Sequence, residues 1–147
     1  MNQQRPVSIV MIEDDEGHAR LIEKNIRRAG ISNKLDHFLD GGSALDYLFN
    51  HPEGPRHGGP ALVLLDLNLP DMSGTDILER IKADPALKRT PVVVLTTTDD
   101  KIEIQRCYDL GANVYITKPV NYESFADAIR QLGLFLSVIQ VPETDAA

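Results

Sequence analysis

At 147 residues the chain is long enough to bury a substantial core as one domain without disulfides or a structural metal. Its 15 Lys plus Arg against 22 Asp plus Glu leave a net charge of −7, which argues against a direct nucleic-acid partner, since such partners require clustered positive charge. One cysteine, Cys107, excludes a disulfide framework, and no apolar run approaches the roughly 20 residues a membrane helix needs, so the chain reads as soluble and cytoplasmic.

Residues 7–12 form an apolar strand candidate that ends in the acidic run Glu13-Asp14-Asp15-Glu16. Over residues 17–29, Ala19, Ile22 and Ile26 recur at helical spacing and Gly30 supplies a stop. Residues 34–39 read as a second strand and 43–49 as a helix with Ala44, Leu45 and Leu48 inward. Residues 50–60 hold three prolines and three glycines and read as plain loop, neither helix nor strand.

Residues 61–65 are apolar without alternation, the pattern of a strand covered on both faces, and deliver Asp66 to a loop that turns over residues 70–74. A helix over 75–83 stops at Asp84-Pro85, because proline disfavours helix in the residue before it. A fourth strand, 91–95, runs into Thr96-Thr97-Thr98, and a helix capped by Asp99 or Asp100 extends to Leu110. A fifth strand, 113–116, ends at Thr117-Lys118-Pro119, and a last helix starts near Tyr122. Five strands alternating with helices predict an α/β fold: a single doubly wound (βα)5 domain with a five-stranded parallel sheet, flavodoxin-like.

Parallel strands put their C-termini at one edge, so Glu13, Asp14, Asp66, Thr96 and Lys118 should converge there although they are far apart in the chain. Clustered carboxylates repel unless a cation intervenes, and an oxygen-only set suits Mg²⁺. Asp14 and Asp66 are the expected direct ligands, with Glu13 acting through a bound water. With Lys118 and Thr96 beside it, Asp66 has the parts for phosphoryl transfer: a carboxylate nucleophile, a cation and a hydroxyl donor.

These residues resemble the receiver domains of two-component response regulators over nearly the whole chain. The likeness rests on Glu13-Asp14, Asp66 within Leu-Leu-Asp-Leu-Asn-Leu-Pro, Thr96 and Lys118-Pro119, in order and in approximate spacing. The resemblance implies that Asp66 takes a phosphoryl group from a sensor histidine kinase, that the backbone carbonyl of Asn68 is a further Mg²⁺ ligand, and that Thr96 and Tyr115 act as switch residues. The long loop before the central strand, Ile-Lys-Ala-Asp-Pro-Ala-Leu-Lys-Arg-Thr-Pro and Leu-Thr-Thr-Thr are similar to the single-domain regulators paired with phytochrome-type histidine kinases. Thr97 departs from the family, where alanine is frequent, and is expected to affect the lifetime of the phosphorylated form.

The chain is expected to be a receiver alone, residues 1–147, with no output domain. About residues 134–147 are expected to form a C-terminal helix extension and arm, in which Leu134, Phe135, Leu136, Val138, Ile139 and Val141 are apolar on nearly every side, as a monomer's surface helix should not be. Phe135, Leu136, Val138 and Ile139 are therefore expected to build a homodimer. The four histidines, His18, His37, His51 and His57, lack ligand spacing and read as solvated surface. Two other functions compete, a Mg²⁺-dependent phosphohydrolase and a phosphorelay intermediate. The hydrolase usually carries a second acid two positions after its nucleophile, where this chain has Asn68.

Overall fold

Unalternating apolar runs demand cover on both faces, and the chain supplies it. Strands β1 (Ser8–Ile12), β2 (Leu35–Phe38), β3 (Ala61–Asp66), β4 (Val92–Thr96) and β5 (Val114–Thr117) form a parallel sheet in the order β2-β1-β3-β4-β5. Helices α1 (Glu16–Arg28), α2 (Gly41–Asn50), α3 (Gly74–Ala83), α4 (Lys101–Asp109) and α5 (Tyr122–Gln131) connect and follow them. The computed structural model describes residues 7–58, 60–97, 99–118 and 122–131. Among the described residues, no helix is long and apolar enough to cross a membrane.

Every residue of β3 and β4 is buried, as a strand between two helical layers requires. Alternate side chains divide between two cores. Val10, Ile12, Val63, Leu65 and Val94 pack with Leu48 of α2, Ile77, Leu78 and Ile81 of α3, and Cys107 of α4. Ile9, Met11, Leu62, Leu64, Val93 and Leu95 pack with Ala19, Ile22 and Ile26 of α1 and Phe125 of α5. Burying one such aliphatic side chain stabilises by roughly 1.5–3 kcal/mol.

Register determines which residues meet at the C-terminal edge. Ile12 pairs with Leu65 and Asp66 with Leu95, so Asp66 stands level with Glu13 and one step short of Thr96. Thr96 pairs with Thr117, which sets Lys118 one step beyond.

Four helices begin on a side-chain cap: Asp15 accepts from the His18 N–H, Asp40 from Ser43, Ser73 from Thr75 and Asp100 from Ile102. Such caps are each worth about 1 kcal/mol. The second helix starts at Gly41, two residues before the expected 43. Its first N–H groups, which a helix cannot satisfy internally, are taken by Asp71: Oδ1 accepts from Gly41 N–H and Oδ2 from Gly42 N–H, both at 2.8 Å.

The reading of residues 50–60 as loop throughout is corrected by a 3-10 turn at Pro55–His57. Pro55 is buried, and the Arg56 guanidinium pairs with Asp84 at 3.2 Å and lies over the Phe49 ring. Gly58, at φ 103°, closes the turn in the left-handed region that glycine tolerates. Those contacts pin the segment, although six of its residues are prolines and glycines.

Gly74 marks the tightest backbone approach near the sheet edge. A Cβ there would lie 2.5 Å from the Asp66 carbonyl oxygen and 2.6 Å from the Leu67 Cα. Gly74→Ala is therefore expected to cost about 1–3 kcal/mol, read as a lower urea midpoint with an unchanged slope.

Candidate functional site

The carboxyl edge of the sheet gathers Glu13 after β1, Asp66 at the end of β3, Thr96 at the end of β4 and Lys118 after β5. All four are buried, Lys118 being the most accessible at 8%. The Lys118 ammonium donates to Glu13 Oε1 and lies 3.4 Å from Asp66 Oδ2. Glu13 Oε2 accepts from the Asp15 N–H at 3.0 Å, so both of its oxygens are engaged. Asp66 Oδ1 accepts from the Asn68 N–H at 3.1 Å. The Asn68 amide nitrogen donates to Thr96 Oγ1 at 3.4 Å, which links the loop after β3 to β4.

Carboxylate oxygens of Glu13, Asp14 and Asp66 lie within 4.8 Å of one another, Asp14 alone being exposed. Burial pushes the Asp66 carboxyl above the ordinary carboxylate range, and the charge of Glu13 adds to that push, while the Asn68 N–H and Lys118 oppose it. One ammonium therefore does not offset the burial of this carboxylate among acids. An oxygen-only set with an unfavourably ionised member fits a small hard divalent cation. Since Glu13 is held on both oxygens, it is the member least free to bind an ion directly.

Alongside Asp14 and Asn68 runs a cleft of about 550 Å³, bounded by Leu69, Pro70, Met72 and Glu103. Thr97 is exposed. Tyr115 is half-buried against the core on β5, and its N–H donates to the Tyr108 hydroxyl at 3.2 Å. Burial, with nearby acidic groups, pushes its phenol up to about 12. Phe135, Leu136, Val138 and Ile139 lie outside the described residues.

Of the histidines expected at the solvated surface, His37 is exposed yet hydrogen-bonded, and His18 is half-buried against the site. His37 Nε2 is 2.7 Å from the Glu13 carbonyl oxygen, to which its N–H donates, bracing the end of β1. His18 Nδ1 lies 3.3 Å from Lys118 Nζ. The legible signal for His18 is the Asp15 cap: it starts α1 so early that the third helical residue turns back over the strand end.

The whole arrangement has known counterparts. Residues 9–130 match the family model of the response regulator receiver domain. The chain belongs to the response regulator receiver family. A receiver domain structure from Rhodospirillum rubrum is 70% identical, with a TM-score of 0.77 over 95% of this chain and 100% of that one. Response regulator Rcp1 of Synechocystis is 34% identical over 93% of this chain and 94% of its own length. Its structure in a Mn²⁺-bound form superposes with a TM-score of 0.72, 33% identity and coverage of 96% and 100%. A phosphorylated cyanobacterial phytochrome response regulator, RcpA, is 36% identical, with a TM-score of 0.74 over 89% of this chain and 94% of its own.

As a response regulator receiver, the chain is a phosphorylation-dependent signalling module and not an enzyme in the ordinary sense. It is related to the regulators named for phytochromes, and its acidic cluster is compatible with the Mg²⁺ that receivers bind.

Because burial raises the folded-state pKa of Asp66, its ionised form costs stability. That cost is absent below the ordinary carboxylate pKa, where both states are protonated, grows as pH rises above it, and is complete once pH has passed the raised folded pKa. Asp66→Asn is thus expected to melt a few degrees above the wild type at neutral pH in EDTA. Thermal scans at successively lower pH should show the gap closing through the carboxylate range.

Proposed function

We propose that Asp66 is the phosphoacceptor of a switch charged by a sensor histidine kinase, with Mg²⁺ bound by Asp14, Asp66 and the Asn68 carbonyl, and Glu13 engaged through water. The observation that carries this reading is a buried carboxylate beside two further carboxylates and 3.4 Å from a buried ammonium. In the transfer, an Asp66 oxygen forms a bond to phosphorus as the phosphorus–nitrogen bond of phosphohistidine breaks, and the departing imidazole keeps the bonding pair. Lys118 offsets charge on the transferred oxygens. Bound Mg²⁺ supplies further charge neutralisation at those oxygens.

Thr96 is the switch hydroxyl. Its oxygen accepts from Asn68, which leaves its own proton to donate to a phosphoryl oxygen. The phosphoryl group adds close to two negative charges and draws Thr96 toward it. Tyr115, paired across from Val94 on the neighbouring strand, fills the space this vacates. The output is an altered protein-binding surface. The partner kinase is of the phytochrome type, in keeping with the relatives named for it.

Incubation with phosphoramidate and Mg²⁺ should label the protein to one phosphate per chain, and Asp66→Asn should abolish the label. Sustained turnover of varied phosphoesters would instead identify a phosphohydrolase and sink the switch.

The working unit is a homodimer through Phe135, Leu136, Val138 and Ile139, a reading supported by the apolar character of residues 134–141. Size exclusion over a dilution series should return a dimer at micromolar concentration, where a monomer would overturn it.

A further inference from the structure

An ammonium has three N–H bonds and no lone pair, so any group hydrogen-bonded to it must accept. Around Lys118 Nζ stand three acceptors: Glu13 Oε1, Asp66 Oδ2 at 3.4 Å and His18 Nδ1 at 3.3 Å. Two of them belong to the protein's fixed frame. Glu13 is held through its other oxygen by the Asp15 N–H, and His18 is carried by the first turn of α1, whose cap is the Asp15 carboxylate. The third is the carboxylate that receives the phosphoryl group in the proposed function. Since the N–H bonds of an ammonium are tetrahedral, anchoring two of them sets the direction of the third.

We propose that His18 is a positioning residue for Lys118: its neutral imidazole, with the proton on Nε2, accepts from Nζ at Nδ1 and aims the remaining N–H at Asp66. This rests on Asp66 being the phosphoacceptor. Asp15 Oδ2 also faces Nδ1, at 3.8 Å, and would favour a proton there. The ammonium is nearer, and two N–H donors cannot share a hydrogen bond. The shorter contact therefore decides the tautomer, and the His18 backbone N–H bonds the other Asp15 oxygen, Oδ1, at 3.0 Å.

Positioning has a kinetic signature. A cation that is present but free to swivel still offsets charge on average, yet is misaligned for much of the time, and misalignment at a reacting centre lowers rate more than it lowers binding. Lys118 keeps Glu13 and Asp66 as partners without His18, so the fold should tolerate the loss. His18 itself is only half-buried.

The test compares the wild type, His18→Leu and His18→Asn. Asn is the conservative replacement, because its amide oxygen occupies about the place of Nδ1. Labelling at Asp66 is followed over a range of phosphoramidate concentrations with Mg²⁺, and thermal melts confirm that each variant is folded. His18→Leu should lower the maximal labelling rate roughly 10-fold, the equivalent of one charge-assisted hydrogen bond, without moving the half-saturating donor concentration. His18→Asn should restore the rate to within about 2-fold of the wild type, since it returns an acceptor to the ammonium. Nitrogen NMR of isotope-labelled histidine in the wild type should show a bare, pyridine-type Nδ1 at mildly alkaline pH.

A wild-type rate in His18→Leu, equal slowing in both variants, or a protonated, pyrrole-type Nδ1 would each overturn the positioning role. If the wild type takes up no phosphate at Asp66, the phosphoacceptor reading fails first and takes the positioning role with it. That outcome is visible before any variant is made.

Discussion

The ammonium of Lys118, buried between the carboxylates of Glu13 and Asp66, is the contact on which the site depends. It joins residues 105 positions apart in the chain and closes the carboxyl edge of the sheet from β5 across to β1. Three acidic oxygens within 4.8 Å, two of them on buried side chains, repel one another unless a cation stands beside them. The pair does more for specificity than for stability, because the desolvation of buried ions offsets much of their attraction. What it secures is an unbalanced site that still favours a further cation.

Around that centre, backbone groups are bound by acids from distant loops. Asp71 takes the first two free N–H groups of α2, and Met72 beside it sits against Gly41, where a Cβ would come within 2.6 Å of its Cγ. The loop that follows Asp66 is therefore tied to the start of α2 on one side and, through Asn68, to Thr96 on the other. A change at Asp66 has two physical routes outward, one to β4 and one to α2. At the far edge of the sheet, Arg56 and Asp84 tie down the connection before β3, so the central strand is held at both ends.

How much of this was legible follows from what each residue's neighbours in sequence reveal. Residues 61–65 announced a doubly covered strand because every one of them is apolar, and their register placed Asp66 at the edge. Acidic caps, glycine stops and the Asp84-Pro85 break bounded the helices to within a residue or two. The start of α2 was missed because the acid that satisfies its N–H groups is Asp71, 30 residues away from Gly41. The turn at Pro55–His57 was missed because its anchor, Asp84, lies beyond β3 and α3.

By itself the sequence determined the order of strands and helices, their two-sided cover, and the identity of the groups at the strand ends, since these follow from local periodicity and from the fact that parallel strands share one edge. Tertiary structure alone decided which groups touch. Lys118 could have faced either acid until the β4–β5 register set it between them, and the engagement of both Glu13 oxygens, by Lys118 and by the Asp15 N–H, came only with the fold. His18 read as solvated surface until α1 folded over β1 and set its Nδ1 3.3 Å from the ammonium. The reason is distance: a hydrogen bond is settled within about 3 Å, and pairs so remote in sequence acquire that distance only when the sheet assembles.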